Sequence, residues 1–462
     1  MSMELYLLVD FGSTYTKLTA VDLEKADIVA TASSFTTVAT DIHEGYHRAL
    51  QQLYQKIGSE VSFSKIVACS SAAGGLKMAA IGLVEELTVE AAKRVCLGAG
   101  GKVDLVFSHY LNSKEAARIN QENIDIVLLA GGTDGGNKDC VLHNAEVLGK
   151  AGIQVPVIYA GNKSCQDEII EIFEKYHLEY YICDNVMPKL NVLNIESARE
   201  VIRTVFMNNI IEAKGIKKIE NEIDQIILPT PHAVLKAVEL LSKGYLGEKG
   251  LGEIVIIDIG GATTDVYSIC SGSPKRADVI LKGLEEPFAK RTVEGDLGMR
   301  YSAMGVVNTL SEEEVKRYLE QGLDIVSEAK KRATNVDMIP QNEEDEKNDI
   351  IFAQICSNLG MSRHVGKMDT YYTPMGTYYF QYGKDLTDVN YIIGTGGVII
   401  YNHHPQEILK KMLANEKSIM ELRPKNAKFL LDKKYIFSAM GLLSLHEPLI
   451  ALKIMKKYII NI

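Results

Sequence analysis

The chain has 462 residues, of which 46% are hydrophobic and 24% charged, a balance typical of a globular protein of roughly two or three domains. Its formal net charge of −10 excludes a broadly basic surface, and with it non-specific binding to nucleic acid or to anionic membranes. A nucleotide ligand is not excluded, because it needs only a local site.

The chain carries no sequence signal for export or membrane insertion. Its start, MSMELYLLVDFG, lacks the basic and apolar regions of a signal peptide, and no stretch approaches about 18 uninterrupted apolar residues. The seven cysteines form no Cys-x-x-Cys pair, which suits reduced thiols in a cytosol rather than a zinc or redox site. We therefore expect a cytoplasmic protein without a membrane span.

The first elements predict a mixed sheet. Leu5–Val9, Leu18–Asp22 and Ile28–Ser34 are predicted as three strands joined by tight connections. An amphipathic helix at His43–Ile57 and a fourth strand at Lys65–Cys69 follow them.

A regular alternation of strands and helices from about Val103 to Cys183 predicts a small parallel, doubly wound sheet inserted in the first domain. Gly-rich turns at Ala130–Asn137 and Ala160–Asn162 follow two of its strands, where such sheets either bind ligands or simply turn. Whether the module binds a ligand is left open.

Two later segments are predicted as packed helices. The strand Gln225–Leu228 ends in Pro-Thr-Pro and leads into a helix that ends at Gly244, whose small residues Ala233 and Ala237 permit close packing. The tail, Tyr435–Met455, contains FSAMGLLSL and is predicted as a buried helix.

Two distant stretches share one plan. LLVDFGSTYTKLTAVD (Leu7–Asp22) and VIIDIGGATTDVYSIC (Val255–Cys270) each have an apolar run that ends in Asp, a Gly two positions later, small hydroxyl residues and a second strand-like run. Such a duplication indicates two similarly folded halves that face each other.

The chemistry of both turns fits phosphate binding. Glycine and small residues let backbone N–H groups approach phosphate oxygens without a Cβ clash. Asp10 and Asp258 would hold Mg²⁺ through water, since Mg²⁺ prefers carboxylate, water and phosphate oxygens together. Lys17 either neutralises phosphate charge or points to solvent. The phosphate-binding candidates are Gly12, Ser13, Thr14 and Lys17 in the first turn, and Gly260, Gly261, Thr263 and Thr264 in the second.

A third motif, IIGTGGVII, follows the apolar pattern of a late strand. Its glycines would let the backbone lie flat against an adenine and a ribose. The candidates for nucleoside binding are Gly394, Thr395, Gly396 and Gly397.

These motifs, in this order, resemble those of the superfamily of actin, sugar kinases and Hsp70. Asp10–Lys17 matches the phosphate-1 loop, Asp258–Asp265 the phosphate-2 loop and Gly394–Gly397 the adenosine loop. PTPHAVLKAVELLSKG looks like the first connecting helix, and SAMGLLSL like the second. The resemblance implies an α/β fold with two actin/Hsp70-like, RNase H-like ATPase domains that face a cleft for ATP and Mg²⁺.

The same resemblance implies a division of the chain. The first half would be 1–250, with the inserted βα module at about 103–185, and the second half would be 251–435. Residues 436–462 would form a helix that returns to the first half.

A narrower resemblance is to the GlmL/MutL family encoded beside adenosylcobalamin-dependent glutamate mutase, which is unrelated to the mismatch-repair protein of that label. It is carried by length, the inserted module, VEGDLGMR (Val293–Arg300), SRHVG (Ser362–Gly366) and GTGGV. It implies a chaperone-like ATPase, a reactivating factor or assembly partner of a cobalamin-dependent mutase, which works by ATP-driven domain closure. Its partners would be mutase subunits, with no nucleic acid or membrane, and a homodimer is left open.

One departure from the pattern concerns hydrolysis. Hsp70-like proteins have a Glu before the Pro-Thr of the first connecting segment that helps to orient the attacking water, and Leu228 stands there in this chain. Either Asp258 does that work, or Glu294 or Asp296 contributes, or hydrolysis is slow. The candidate catalytic residues are Asp10, Asp258 and Asp296.

Three rival functions stay open. A small-molecule kinase of the same fold would need a general base, for which Asp296 or Asp265 is available, although no sugar-binding cluster of acids and amides is visible. An iron–sulfur activator of 2-hydroxyacyl-CoA dehydratases is disfavoured by the scattered cysteines. The third rival is a scaffold that binds nucleotide without turnover. The histidines His232, His364, His403 and His404 are interpreted as capping or surface residues rather than metal ligands.

Overall fold

The computed structural model describes residues 4–12, 15–36, 42–71, 76–213 and 222–462. In chain order the strands are Leu5–Phe11 (β1), Tyr15–Asp22 (β2), Asp27–Phe35 (β3), Lys65–Ser70 (β4), Leu76–Gly82 (β5), Gly101–Ser108 (β6), Ile126–Leu129 (β7), Val157–Tyr159 (β8), Tyr180–Ile182 (β9), Gln225–Pro229 (β10), Gly244–Tyr245 (β11), Glu248–Lys249 (β12), Ile254–Ile259 (β13), Thr264–Ile269 (β14), Val279–Lys282 (β15), Ala289–Glu294 (β16), Lys367–Thr373 (β17), Gly376–Tyr382 (β18), Tyr391–Thr395 (β19), Lys428–Asp432 (β20) and Ile459–Asn461 (β21).

The helices alternate with these strands, and none in the described part of the chain combines the length and apolarity needed to cross a membrane. In chain order they are Ile42–Ile57 (α1), Glu90–Gly98 (α2), Ser113–Gln121 (α3), Asp139–Lys150 (α4), Gln166–Lys175 (α5), Glu196–Ala213 (α6), Thr230–Lys243 (α7), Ala303–Asn308 (α8), Glu312–Glu320 (α9), Ile325–Thr334 (α10), Glu343–His364 (α11), Gly397–Ile400 (α12), Pro405–Leu409 (α13), Phe437–Leu443 (α14) and Pro448–Tyr458 (α15), with a π-helical turn at Glu85–Val89 and 3-10 turns at Lys163–Cys165 and Lys410–Met412.

Two of the sheets share one strand order. The first runs β10-β4-β1-β2-β3 and the second runs β20-β19-β13-β14-β16, with β21 added beside β20. In each sheet the central strand pairs antiparallel with the strand that follows it in the chain and parallel with β4 or β19. The predicted α/β fold is confirmed, and the duplication seen in the sequence corresponds to two halves with matching topology.

Each central strand divides its side chains between two cores, because successive side chains of a strand point to opposite faces. In β1, Leu7 enters a core with α1, whereas Leu8 enters a core shared by both halves. In β13, Ile256 lies in that shared core, which also contains residues of α7, α14 and α15. By the same alternation, Asp10 and Asp258 lie on the faces directed at the shared core.

The inserted module is larger than predicted. It is a five-stranded parallel sheet with the order β6-β5-β7-β8-β9 and with a hydrophobic core on each face. Its first strand in the chain is β5, which lies between β6 and β7, whereas the prediction began at Val103. The run LKMAAIG of β5 is poor in the β-branched and aromatic residues that mark strands, so its pattern is weak.

The predicted single helix at Tyr435–Met455 is wrong in its continuity. The structure has two helices, α14 and α15, separated by a break that ends at Pro448, where proline suits the first turn of a new helix. After α15 the chain forms β21, which pairs antiparallel with β20 of the second sheet. The segment therefore contacts α7 of the first half and also joins the sheet of the second half. The division into domains at 250 and 435 stays a prediction.

Helices α7 and α14 cross at very short range. A Cβ added to Gly441 of α14 would lie 1.8 Å from the carbonyl oxygen of Ala233 in α7. Neither helix has room to accept that atom, because both are buried in the shared core. The predicted close packing at Ala233 is confirmed, and its partner is Gly441.

We expect Gly441→Ala to lower the free energy of unfolding by about 3 kcal/mol or more, since the two helices must separate to remove the clash. Gly322→Ala is the matched control, because Gly322 has φ of +88° and open space around its Cβ position, so only backbone strain of about 1–2 kcal/mol is added. Urea denaturation of both variants measures the difference. Equal losses in the two variants would contradict the assigned tight crossing.

Candidate nucleotide site

The carboxylate of Asp10 lies at the end of β1 and is bound by both connecting helices. Thr230, the first residue of α7, donates its hydroxyl to Oδ1 at 2.7 Å, and Ser438 of α14 donates to Oδ2 at 2.9 Å. The Cys69 thiol, on the neighbouring strand β4, lies 3.6 Å from Oδ1. Asp10 is buried, so these donors replace the water that its charge would otherwise require.

The side chain of Lys17 points into the site, although 26% of it is exposed. It is directly opposite Asp10 in the β1–β2 hairpin. Its ammonium is 3.9 Å from Oδ2 of Asp10 and 3.5 Å from the centre of the Tyr435 ring, a cation–π contact. Of the two orientations left open by the sequence, the structure has the one that places the charge beside the acids.

Asp258 occupies the matching position at the end of β13. The Tyr435 hydroxyl donates to its Oδ1 at 3.4 Å. Burial raises the pKa of the Asp258 carboxyl to about 7; the nearby Asp265 and Asp432 contribute to the rise, and Lys17 opposes it. A Cβ at Gly396 would lie 2.8 Å from that Oδ1, and Gly396 has φ of +92°, so glycine is required beside the acid.

Asp432, at the end of β20, is a buried acid that the sequence reasoning missed. It accepts hydrogen bonds from the Ile436 amide at 3.0 Å and from the Thr395 hydroxyl at 3.1 Å. Burial raises the pKa of this carboxyl to about 6. A signal was present, since KFLLD is a third apolar run that ends in Asp, directly before a connecting helix.

Asp432 and Leu228 occupy equivalent places in the two sheets. Leu228 is opposite Cys69, which is opposite Asp10. In the second sheet Thr395 is opposite Asp258. Leu431 is opposite Gly394, so the next residue, Asp432, lies level with Thr395. The carboxylate that is missing at Leu228 is therefore present at the corresponding place in the other half.

Both turns between the hairpin strands are closed by the same backbone hydrogen bond. The Gly12 amide donates to the Tyr15 carbonyl at 3.1 Å, and the Gly260 amide donates to the Thr263 carbonyl at 2.9 Å. A Cβ at Gly12 would lie 2.5 Å from that carbonyl oxygen, so a larger residue does not fit. Ser13 and Thr14 lie outside the described residues, and their assignment stays a prediction.

The second turn is braced from one side by the loop that follows β16. The amide of Met299 donates to the Gly260 carbonyl at 3.0 Å, and the amide of Arg300 donates to the Gly261 carbonyl at 2.8 Å. Across a planar trans peptide, the N–H of the next residue points opposite to the carbonyl. The amides of Gly261 and Ala262 therefore point away from the loop, as phosphate binding by this turn requires.

The hydroxyl residues of the second hairpin have protein partners. Thr263 donates to Asp265 at 3.2 Å, whereas Thr264 is buried and donates to the Leu297 carbonyl at 2.9 Å. Asp265 is also paired with Arg291 at 2.7 Å. The Thr264 hydroxyl is thus already used within the fold, and phosphate contacts by Thr263 and Thr264 stay predictions.

Asp296 forms an ion pair with Arg363. The guanidinium of Arg363 donates to both oxygens of Asp296 at 2.7 and 2.9 Å and to Glu294 at 2.7 Å. Arg363 lowers the pKa of the Asp296 carboxyl, which makes it a weaker proton acceptor. Its catalytic role stays a prediction.

The third motif lies beside Asp258, because β19 and β13 are neighbouring parallel strands. Gly394 pairs with Ile257, and Thr395 pairs with Asp258. Gly396 precedes α12, and Gly397, the first residue of that helix, has open space at its Cβ position. The structure therefore brings this Gly-rich turn, both Asp residues and Lys17 to one place.

Comparisons with known proteins show which family the chain matches. A family model described as "MutL protein" matches residues 6–459. Protein MutL of Clostridium tetanomorphum is 51% identical over 462 residues, which is 100% of each chain.

Among solved structures, a nucleotide-free acetone carboxylase is 14% identical, with a TM-score of 0.40, and the match covers 96% of this chain and 70% of that one. A glycerol dehydratase reactivase is 11% identical, with a TM-score of 0.36, and the match covers 96% and 99%. Gluconate kinase from Lactobacillus acidophilus is 12% identical, with a TM-score of 0.35, and the match covers 100% and 93%.

We expect the stability of the ligand-free protein to fall as the pH rises through the pKa values of Asp258 and Asp432. The pKa values of both carboxyls return to about 4 on unfolding. Between about pH 4 and 7 the folded form therefore binds more protons than the unfolded form. At a pH above the folded pKa, each unit of difference between the folded and unfolded pKa lowers the free energy of unfolding by about 1.4 kcal/mol. Asp258→Asn should therefore flatten the decline between about pH 4 and 7, measured by chemical denaturation.

Asp22→Asn is the control for this experiment. Asp22 is also buried, but its hydrogen bonds from Lys25 lower the pKa of its carboxyl, so its contribution to stability is constant over the same range. A pH slope that is equal in wild type and Asp258→Asn would show that Asp258 is ionised throughout.

Proposed function

The chain belongs to the MutL protein family, and on that premise we propose that it is a cytoplasmic, chaperone-like ATP-binding protein that reactivates or assembles a cobalamin-dependent mutase of the glutamate mutase type. The observation that carries the proposal is the convergence of two matched Asp-Gly hairpins. It places Asp10 and Asp258 at one end of the shared core, with Lys17 as the nearby cation.

The residues present fit a divalent cation with a phosphate group. The carboxyls of Asp10, Asp258 and Asp432 lie around the ammonium of Lys17, so a cation would relieve an excess of negative charge. Asp10 and Asp258 would hold Mg²⁺ through water, as expected from the sequence. When bound, the ion would neutralise phosphate charge in the nucleotide.

The backbone of the two turns would position the phosphates. The amides of Gly261 and Ala262 point away from the bracing loop, and in the first half the Gly12 amide donates to the Tyr15 carbonyl as the Gly260 amide does to the Thr263 carbonyl. Lys17 would exchange part of its contact with Asp10 for a phosphate oxygen. The turn Gly394–Gly397 would lie against the nucleoside.

Nucleotide binding would favour the closed arrangement of the halves. A ligand that touches both hairpins binds best when they are close, and it shifts the equilibrium only by its differential affinity for the two forms. Hydrolysis of ATP with water to ADP and phosphate breaks the connection between the turns and lets the halves separate. A mutase subunit would be held in one state and released in the other.

Hydrolysis is proposed to be slow. Position 228 carries leucine, so no carboxylate lies there to orient water. In the ligand-free protein burial raises the pKa of Asp258 to about 7, and Asp432 occupies the place in the second half that Leu228 occupies in the first. A slow rate suits a conformational switch.

The rival kinase function is weakened by the partners of its candidate bases. Asp265 is paired with Arg291, and Asp296 with Arg363, so both carboxylates are neutralised by guanidinium groups. The scaffold function keeps one supporting observation, the leucine at position 228. Phosphate release distinguishes it from an ATPase.

The inserted module is the proposed partner surface. Gly-rich and polar loops cover the C-terminal edge of its parallel sheet, the edge where open α/β sheets place their binding sites. Leu190, in the loop after β9, is 64% exposed, and Val192 beside it is 48% exposed. Apolar side chains in such a position fit the burial that a protein partner would provide.

The first test is phosphate release from Mg-ATP by wild type, Asp10→Asn and Asp258→Asn, each with and without inactivated glutamate mutase. We expect slow turnover that the mutase stimulates and that each substitution lowers at least about 100-fold, because charge stabilisation of several kcal/mol is lost. Asp22→Asn, at the far end of the first hairpin, is the control and should keep wild-type turnover.

Two other outcomes would redirect the assignment. Tight ATP binding without turnover in any condition would favour the scaffold. Turnover only with an added hydroxyl or carboxylate substrate would favour the kinase.

The partner surface is tested by Leu190→Glu with Val192→Glu, since two charges should weaken mutase binding at least about tenfold by disfavouring burial at the interface. The affinity for ATP should not change. Deletion of the module is less informative, because its inner face shares a core with β1 and α1.

Leu319→Glu is the matched control for this binding experiment. Leu319 lies on α9 of the second half and is 61% exposed, so it tests the effect of a charge on another apolar surface position. Mutase binding by the Leu190→Glu, Val192→Glu variant at wild-type affinity would exclude this edge of the module as the partner surface.

A further inference from the structure

A group of metal-ligating side chains lies outside the nucleotide site. His43 and His47 are one turn apart on α1, so their side chains share a face of the helix. Glu222, three residues before the start of β10, lies against both imidazoles. The Nε2 atoms are 2.9 Å apart, and Oε1 of Glu222 is 3.4 Å from Nε2 of His43 and 3.3 Å from Nε2 of His47.

The three atoms are close enough for one proton on Nε2 of His47 to be shared between Nε2 of His43 and Oε1 of Glu222. If both nitrogens carry protons, two donors face each other at 2.9 Å. A cation at the centre attracts all three lone pairs at once.

The spacing suits a small tetrahedral cation. Zinc bonds of about 2.0–2.2 Å to nitrogen and oxygen place neighbouring ligand atoms about 3.3 Å apart. Two of the three distances, 3.3 and 3.4 Å, have this value, and the third is shorter by a few tenths of an ångström. The three side chains are each about two-fifths exposed, so an ion reaches them from solvent.

We propose that His43, His47 and Glu222 bind a divalent transition-metal ion, Zn²⁺ by the chemistry of the donors. Two imidazoles with one carboxylate favour zinc over magnesium or calcium, which prefer oxygen ligands only. Three protein ligands leave a fourth position for water. The site does not depend on the proposed function.

The ion would connect α1 to the strand that supplies the nucleotide site. Helix α1 packs on β2 and β3 of the first hairpin sheet. Glu222 precedes β10, which ends at Pro229, and the next residue, Thr230, donates to Asp10. A metal bond at Glu222 would therefore fix the start of the strand whose other end positions that donor.

The test uses the full chain, stripped with a chelator and dialysed against limiting Zn²⁺, with zinc measured by mass spectrometry. We expect about one ion per chain in the wild type and nearly none in His43→Gln with His47→Gln. Glu222→Gln should weaken binding at least about tenfold, because even supporting residues of metal sites have effects of that size. Cobalt in place of zinc should give the visible bands of a tetrahedral site.

His403→Gln is the control, since His403 is also an exposed histidine paired with a glutamate, Glu346, but among the described residues it does not belong to a group with metal-ligand spacing. It should keep the wild-type zinc content. Zinc should raise the Tm of the wild type and of this control but not of the double variant.

Equal zinc in the wild type and the folded double variant would overturn the proposal. Wild-type affinity in Glu222→Gln would remove the carboxylate from the site. Absence of zinc from the wild type would overturn the proposal as well. Circular dichroism establishes that each variant is folded, and Glu222→Gln keeps the test decisive if the double variant does not fold.

Discussion

The position of Asp10, which is buried, and of Asp258, which is partly buried, at equivalent ends of two central strands is the constraint on which the rest of the structure depends. A buried carboxyl needs donors or a proton, and neither residue finds enough of them in its own hairpin. Asp10 takes its donors from Thr230 and Ser438, on the two connecting helices, and Asp258 takes one from Tyr435. The close crossing of those helices at Gly441 is thus also a condition for the chemistry of the site.

The sequence was most informative where a pattern repeats. LLVD and VIID predicted both hairpins, their duplication and the position of the acids, because an apolar strand that ends in Asp and Gly has few alternatives. It was less informative for β5, whose Ala-rich run lacks strand propensity, and for the break before Pro448. Asp432 was missed although KFLLD repeats the same plan. The group of His43 and Glu222 could not be found by spacing, since 179 positions separate these residues and only the fold brings them together.

The two halves match in topology and differ in charge. Opposite Asp10 the first hairpin carries Lys17, and opposite Asp258 the second carries Asp265. At the next strand end the first half has Leu228 and the second has Asp432. The first half therefore contributes the cation and the second contributes the additional acids. Burial is the main cause of the raised pKa of Asp258, and these acids raise it further. A nucleotide with its metal would bring both signs of charge to a place where each half supplies only part of what is needed.

Asp265, the additional acid of the second hairpin, is neutralised by an arginine that also contacts the inserted module. Arg291, which pairs with Asp265, also donates to the carbonyls of Leu97 and Gly101, at the junction of α2 and β6 in the inserted module. Arg94 of α2 donates in the other direction, to the carbonyls of Leu284 and Glu285. The module is therefore bound to the second half through buried guanidinium groups next to the phosphate-2 turn. On the proposed function, separation of the halves would move these contacts, which would connect a partner on the outer edge of the module to the state of the nucleotide.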